Sequence, residues 1–253
     1  MPLHLTPEER LILALDVDSG EEARSLVREL EGAVSFYKVG LELFAAAGPD
    51  FVKELVGSGK KVFLDLKWID IPETVAKAVR VAARFGVTFA TLDGNGDRKS
   101  MQAAVAARNA ARGEGREIRL LCVTALTHLD DAACQHMYGR TVSQLVGERT
   151  EKALNDGLDG VISSGKEVSL IRGIADRHSR PEEFLIVTPG MRFPDSSKDD
   201  HQSRATHPET AVAEGASCIV VGRPIRGASD RKGEARRFID AIRGGLAKRP
   251  IPA

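Results

Sequence analysis

Val62-Phe63-Leu64-Asp65-Leu66-Lys67 is an apolar run that ends in alternating charge, and Trp68-Ile69-Asp70 carries it into a turn. Period-two alternation puts Asp65 and Lys67 on one face of a strand and Leu66 on the other. Immediately downstream, Val75, Val79 and Ala82 with Ala83 recur at helical spacing within 73–85, while Lys77, Arg80 and Arg84 take another face. A second apolar run, 87–92, follows. Strand, helix and strand in roughly thirty residues is the repeating unit of a parallel sheet. Charges beside core positions are costly to bury without partners, so they point either to chemistry or to a structural ion pair at the strand end.

The unit repeats along the chain. Strand candidates fall at 11–15, 34–37, 62–66, 87–92, 118–123, 160–162, 184–187 and 218–221. Helix-like stretches fall at 21–30, 49–57, 73–85, 99–112, 141–155, 169–177, 208–214 and 234–246. Eight of each predict a single-domain α/β fold, a (β/α)8 barrel of the TIM type, and 253 residues suit one such barrel. The expected layout is an N-terminal extension at 1–10, the barrel at 11–247 and a C-terminal tail at 248–253. An open doubly wound sheet is the alternative, weakened because no Gly-x-Gly-x-x-Gly follows the first strand. Two long connections stand out. Thr127-His128-Leu129-Asp130 opens 127–140 with a helix-start signal, whereas 189–207 lacks periodicity and reads as a lid or binding loop.

Thirty-six basic residues balance 36 acidic ones, so no global field favours nucleic acid or an anionic membrane, and any anionic ligand needs a local cluster. Cys122, Cys134 and Cys218 are scattered, as are the six histidines, and none has metal-ligand spacing, so no metal is expected. A polar N-terminus and the lack of a long apolar run predict a soluble, cytoplasmic protein.

The residues that end the apolar runs carry the functional reading. In order they are Asp16; Lys38; Asp65 and Lys67; Asp93 and Asn95; Thr124 and Thr127; Ser163 and Ser164; Pro189 and Gly190; Gly222 and Arg223. In a barrel all eight ends converge on one rim, where barrel enzymes build their sites. Lys38, Asp65, Lys67 and nearby Asp70 form a set of alternating charges. Gly190, Arg192, Gly222 and Arg223 supply backbone amides and guanidinium forks suited to a phosphate. The simplest ligand has a phosphate at one end and a reacting centre near mid-rim.

These residues resemble the orotidine 5′-phosphate decarboxylase family. The resemblance rests on Leu13-Ala14-Leu15-Asp16, Lys38-Val39-Gly40, Asp65-Leu66-Lys67-Trp68-Ile69-Asp70-Ile71-Pro72 and Val123-Thr124-Ala125-Leu126-Thr127. Thr188-Pro189-Gly190-Met191-Arg192, Gln202 and Val221-Gly222-Arg223-Pro224 extend it over nearly the whole chain. It implies that Lys67 protonates C6 of the pyrimidine of orotidine 5′-monophosphate, giving uridine 5′-monophosphate. Asp65 would lie beside the departing carboxylate, and Lys38 would bind the ribose and order the charges. Asp16 would also bind the ribose, and Ser164 would read the pyrimidine edge. Asp70, Ile71, Thr74 and Thr127 would serve the neighbouring subunit's site in a homodimer. Arg192, Gln202, Gly222 and Arg223 would hold the phosphate under the closing 189–207 loop. The family uses no metal or organic cofactor.

Some positions depart from the family pattern. The fourth strand ends in Asp93-Gly94-Asn95-Gly96-Asp97 where a histidine is usual, which adds acid near the site. Trp68-Ile69, Glu73 and the His201 between Asp200 and Gln202 are further departures. Two other readings stay open: a related magnesium-dependent phosphosugar lyase or synthase, whose members have an acid at the position of Lys38, and an idle barrel that only binds a phosphate ligand. Asp199-Asp200 and 226–232 read as solvated charges, Met101, Met137 and Tyr37 as packing residues, and His128 as a helix-start or interface residue.

Overall fold

A parallel strand covered on both faces needs apolar side chains at successive positions, and the strands here meet that demand. The computed structural model describes residues 4–180, 183–194 and 205–249. Strands β1 (Leu11–Ala14), β2 (Phe36–Gly40), β3 (Lys61–Trp68), β4 (Phe89–Asp93), β5 (Arg119–Val123), β6 (Gly160–Ile162), β7 (Leu185–Pro189) and β8 (Cys218–Val221) lie parallel in chain order. β8 pairs back onto β1 through Leu11↔Ile219 and Leu13↔Val221, closing the barrel. The helices are α1 (Gly20–Glu29), α2 (Leu41–Gly57), α3 (Pro72–Phe85), α4 (Arg98–Gly113) and α5 (Asp131–Tyr138), then α6 (Val142–Asn155), α7 (Val168–Arg177), α8 (Pro208–Ala213), α9 (Arg223–Arg226) and α10 (Arg231–Ala247). Among the described residues no helix is long and apolar enough to cross a membrane.

Strand alternation divides the interior into two cores. Ile12, Phe36, Phe63, Phe89, Leu121, Leu185 and Cys218 fill the barrel, and Leu5 from the N-terminal segment joins them. The Phe89 ring lies 5.1 Å from that of Phe36, tilted, and 6.0 Å from that of Phe63, edge to face, so three adjacent strands share an aromatic floor. Leu13, Tyr37, Val39, Leu64 and Ala90 face the other way and pack with the helices. Tyr37 is fully buried and donates to the Val34 carbonyl at 3.0 Å. All three cysteines are free and buried, and burial pushes the Cys122 and Cys218 thiols up to about 12. They behave as small core residues.

Helix starts follow capping chemistry. Ser19, Asp97, Asp130 and Thr141 each accept a backbone N–H from the first turn of α1, α4, α5 and α6, and Thr141 with Gln144 completes a reciprocal box. Most element ends shift by one to three residues, β3 running on through Lys67 to Trp68, and two differences matter more. The apolar stretch at 49–57 is only the second part of α2, which starts at Leu41 and kinks at Gly48, whose φ of 67° closes the first segment before Pro49 opens the next. β2 runs to Gly40, so Lys38 lies within the strand; ending a strand at its first charge fails where the charge faces a barrel interior. Met137 is exposed rather than packed, since α5 buries only Cys134. Arg231 is no solvated loop charge: it begins α10 and bonds the Arg226 carbonyl and Glu29.

At the opposite end of the barrel from the strand termini, Asp159 is buried among Arg108, Arg112 and Arg119. Its Oδ2 takes Arg108 at 2.7 Å and the Leu120 N–H at 2.8 Å, and its Oδ1 takes Arg112 at 2.7 Å. Burial alone would raise this carboxyl, but the guanidinium groups and the Leu120 amide outweigh it and hold it below the usual carboxylate range. Its stabilising contribution is therefore complete above the unfolded value, about pH 4, and fades as pH falls through the lower folded value. Replacing Asp159 with Asn is expected to cost about 3–5 kcal/mol near neutral pH, because buried arginines lose their counter-charge. Thermal melts of the two proteins should show a gap that narrows below about pH 4.

Candidate active site

Along the barrel-facing side of three adjacent strands, apolar positions give way to charge toward the carboxyl end. Phe36 is followed two residues on by Lys38, Phe63 by Asp65 and then Lys67, and Ala14 by Asp16. The closed barrel brings these side chains together. Lys38 Nζ lies 2.8 Å from Asp16 Oδ1 and 3.7 Å from Asp65 Oδ2, and Lys67 Nζ lies 3.0 Å from Asp65 Oδ1. The result is an unbroken series of acid, amine, acid and amine. The Lys38 and Asp65 side chains are only 12% and 15% exposed, so solvent screens the centre of the series weakly. Unit charges about 4 Å apart attract by about 4 kcal/mol at an effective dielectric near 20, which offsets the desolvation of each.

β3 departs from regular strand geometry where the chemistry sits. Its pairing with β4 shifts register between Leu64 and Trp68, and Lys67 has φ 51°. A left-handed backbone at a lysine costs of order 1–3 kcal/mol and persists only where the surroundings impose it. Period-two alternation correctly puts Asp65 and Lys67 together, but a local bulge accomplishes it rather than a regular pleat. Thr91, inside β4, bonds to both Asp65 and the Lys67 backbone. Sequence reasoning passed over it. The available signal was a hydroxyl two residues before Asp93, on the same face of an otherwise apolar run.

Asp70 stands apart from the series. Its Oδ1 accepts the Ile71 N–H at 2.6 Å, and among the described residues neither lysine of the same chain pairs with it. The Ser100 hydroxyl donates to the Asp70 carbonyl at 2.8 Å and ties this loop to the start of α4. Ile71 caps α3, and Thr74 lies exposed in its first turn. Ile69 and Ile71 are large apolar side chains left more than half exposed, at 54% and 65%.

The remaining rim residues take two kinds of position. Ser164 is buried after β6 and accepts the Lys166 N–H at 3.2 Å; Thr127 is half-buried after β5. After β7, Gly190 has φ 81°, and Arg192 N–H donates to the Thr206 carbonyl while Thr206 N–H donates to that of Gly190. The two ends of the 190–206 connection are thereby zipped together. Phe193 braces this base against Phe238 and His207, with Arg237 stacked over its ring. Gly222 follows β8 on the Asp16 side: a Cβ there would sit 3.6 Å from Asp16 Oδ2, and Arg223 is exposed next to it. Gln202 and the Asp199-Asp200-His201 stretch lie outside the described residues.

The acidic departure after β4 has its own partners. Asp93 Oδ1 accepts the Asn95 N–H at 2.8 Å, making a local turn. Arg149 and Lys152 of α6 grip this loop through the Asn95 side chain and the Gly96 carbonyl, and Arg149 also bonds the Thr124 carbonyl. Among the described residues no group of three His, Cys, Asp or Glu side chains is arranged to hold a metal ion.

Gly40 faces the charge series from β2. A Cβ at this position would sit 2.9 Å from Lys38 Nζ and 3.5 Å from Asp16 Oδ1. Gly40→Ala is expected to displace the ammonium rather than the backbone. Catalytic turnover should fall by about tenfold or more, with the melting temperature shifted by only a few degrees. Steady-state kinetics beside a thermal melt would check it.

Comparisons with known proteins point to one family. The family model described as "Orotidine 5'-phosphate decarboxylase / HUMPS family" matches residues 9–238. The orotidine 5′-phosphate decarboxylase of Methylococcus capsulatus is 44% identical over 238 residues, spanning 93% of this chain and 92% of the relative. That of Caulobacter vibrioides is 42% identical over 241 residues, spanning 95% of this chain and all (100%) of the relative. The crystal structure of orotidine 5′-phosphate decarboxylase from Lactobacillus acidophilus matches with a TM-score of 0.77 at 34% identity, covering 92% of this chain and 98% of that one. With a barrel that closes β8 onto β1 and a rim of alternating amines and acids, the chain belongs to the orotidine 5′-phosphate decarboxylase / HUMPS family.

Proposed function

We propose that this protein decarboxylates orotidine 5′-monophosphate to uridine 5′-monophosphate and carbon dioxide, without a metal or organic cofactor. The observation that carries the reading is the contact series from Asp16 through Lys38 and Asp65 to Lys67 at the barrel rim. The relatives at 42–44% identity carry the decarboxylase name alone. Lys38, an amine held between two acids, disfavours the magnesium-dependent phosphosugar reading, in which an acid occupies that position.

In this reading the bond from C6 to the carboxylate breaks heterolytically and carbon dioxide leaves. The electron pair remains on C6, a ring carbon with no adjacent electron sink, until a proton from Lys67 Nζ takes it up. The fixed ammonium stabilises the localised negative charge as it develops and then supplies the proton. Asp65 stands beside the departing carboxylate. Two like charges about 4 Å apart repel by about 4 kcal/mol at an effective dielectric near 20, and that repulsion vanishes as neutral carbon dioxide forms. Asp16 and Lys38 bind the ribose, and Ser164 reads the base. Arg192, Gln202, Gly222 and Arg223 hold the phosphate, whose binding energy helps to position the distant reacting carbon.

Two copies pair in this reading, with Asp70, Ile71, Thr74 and Thr127 completing the partner's site. Support comes from Leu41, Ile69, Ile71 and Leu126, large apolar side chains left 41–65% exposed. Buried free cysteines suit a reducing compartment, and we place the protein in the cytoplasm.

Purified protein mixed with orotidine 5′-monophosphate should convert it to uridine 5′-monophosphate, followed by pyrimidine absorbance, with chelator making no difference. Lys67→Ala should abolish turnover while still binding uridine 5′-monophosphate; no product from the wild type near neutral pH would sink the reading. The shared site has a separate test. Lys67→Ala and Asp70→Ala homodimers should each be inactive, and equimolar remixing should restore about a quarter of wild-type activity, since half the dimers then hold one intact site. Continued inactivity of the mixture would place Asp70 in its own chain's site.

A further inference from the structure

A closed ring of three polar contacts surrounds the β3 bulge. The Lys67 backbone N–H donates to Thr91 Oγ1 at 2.9 Å, Thr91 Oγ1 lies 3.0 Å from Asp65 Oδ1, and Lys67 Nζ lies 3.0 Å from that same oxygen. The proton positions in this ring are determined by elimination. A backbone N–H can only donate, so the hydroxyl accepts from Lys67; an ionised carboxylate can only accept, so the hydroxyl proton goes to Asp65.

We propose that Thr91 is the positioning residue that sets the geometry of the Asp65–Lys67 pair, a role that rests on the decarboxylase reading for its kinetic consequence. Three observations support it besides the ring itself. Between Leu64↔Ala90 and Trp68↔Leu92, β3 takes four residue steps while β4 takes two, so Asp65, Leu66 and Lys67 all stand opposite Thr91 alone. The Thr91 side chain thus supplies the bond that the ladder loses at the bulge. Lys67 has a left-handed φ of 51°, and its N–H is held in that conformation by Thr91 Oγ1. Thr91 itself is wholly buried and paired to Leu121 of β5, and its β-branched side chain has few rotamers to choose from. The hydroxyl also chooses which carboxylate oxygen does what: Oδ1 is committed to Thr91 and Lys67, which leaves Oδ2 facing Lys38 at 3.7 Å.

Thr91→Val keeps the volume and removes both bonds, Thr91→Ala removes the bonds and leaves room, and Thr91→Ser keeps the hydroxyl. Initial rates on orotidine 5′-monophosphate, per folded protein, should show kcat lowered at least about tenfold for Val and Ala, with KM within about threefold of wild type. Ser should retain kcat within about threefold, a rescue that a packing role would not give. Crystal structures of the Val and Ala variants should show Lys67 relaxed to negative φ and its amine moved away from Asp65. Wild-type kcat in both Val and Ala, or a Ser variant as impaired as they are, would overturn the proposal. If the wild type itself fails on this substrate, the decarboxylase reading falls and the crystal structures test Thr91 by themselves. Lys67 keeping φ near 51° and its 3.0 Å contact in either variant then refutes the role. Should the Val variant not fold, the Ala and Ser variants decide the question by the same comparison.

Discussion

The ion pair between Lys67 and Asp65 is the constraint to which the rest of the rim is adjusted. The pair sits where the backbone deforms, because β3 breaks register with β4 between Leu64 and Trp68. In a closed barrel there is no edge, and β2 continues in register with β3 from Phe36↔Lys61 to Gly40↔Asp65 on the other side. The aromatic floor formed by Phe36, Phe63 and Phe89 lies on the same three strands, so rigid packing underlies the strained segment.

The two ends of the barrel use charge differently. Around Asp159 the cations are arginines, whose planar forks lock a carboxylate from several directions and never release a proton. At the rim the cations paired with Asp16 and Asp65 are lysines, compact point charges that can both attract a developing carbanion and deliver a proton to it. Arginine returns on the rim at Arg192 and Arg223, where the proposed ligand group is a phosphate and a fork is the better match. A chain with no net charge thereby separates an arginine-rich end of the barrel from a lysine-bearing rim.

The loop after β4 shows how a departure from the family pattern is absorbed. Asp93 would add an uncompensated acid to the rim, but its carboxylate is turned into a local bond to Asn95. Arg149 and Lys152 then fasten the loop to α6. Gly94 permits this close approach, since a Cβ there would lie 2.4 Å from the Val123 carbonyl oxygen. The same segment leads into α4, whose Ser100 holds the Asp70 carbonyl, so the altered loop still supports the loop that carries Asp70.

Alternating strands and helices, their count and the polar residue that follows each strand are local properties, and for that reason the sequence by itself determined the barrel and most of its rim. Periodicity requires only neighbouring residues, so 160–162 and 218–221 match the observed strands, and Asp16, Lys38, Asp65 and Lys67 were recognisable as strand-end charges. What depends on distant chain segments meeting was not legible. Lys38 proved to lie within β2 because a barrel interior can receive a charge that a hydropathy pattern treats as a stop. The first part of α2 was hidden by the Gly48-Pro49 kink, which reads locally as a helix start. The hydroxyl of Thr91 on the Asp93 face was a faint signal, since a threonine in an apolar run is an ordinary strand residue until β3 bulges against it. Side-chain chemistry is written in the sequence, but the distance between two side chains on different strands exists only once the barrel has closed.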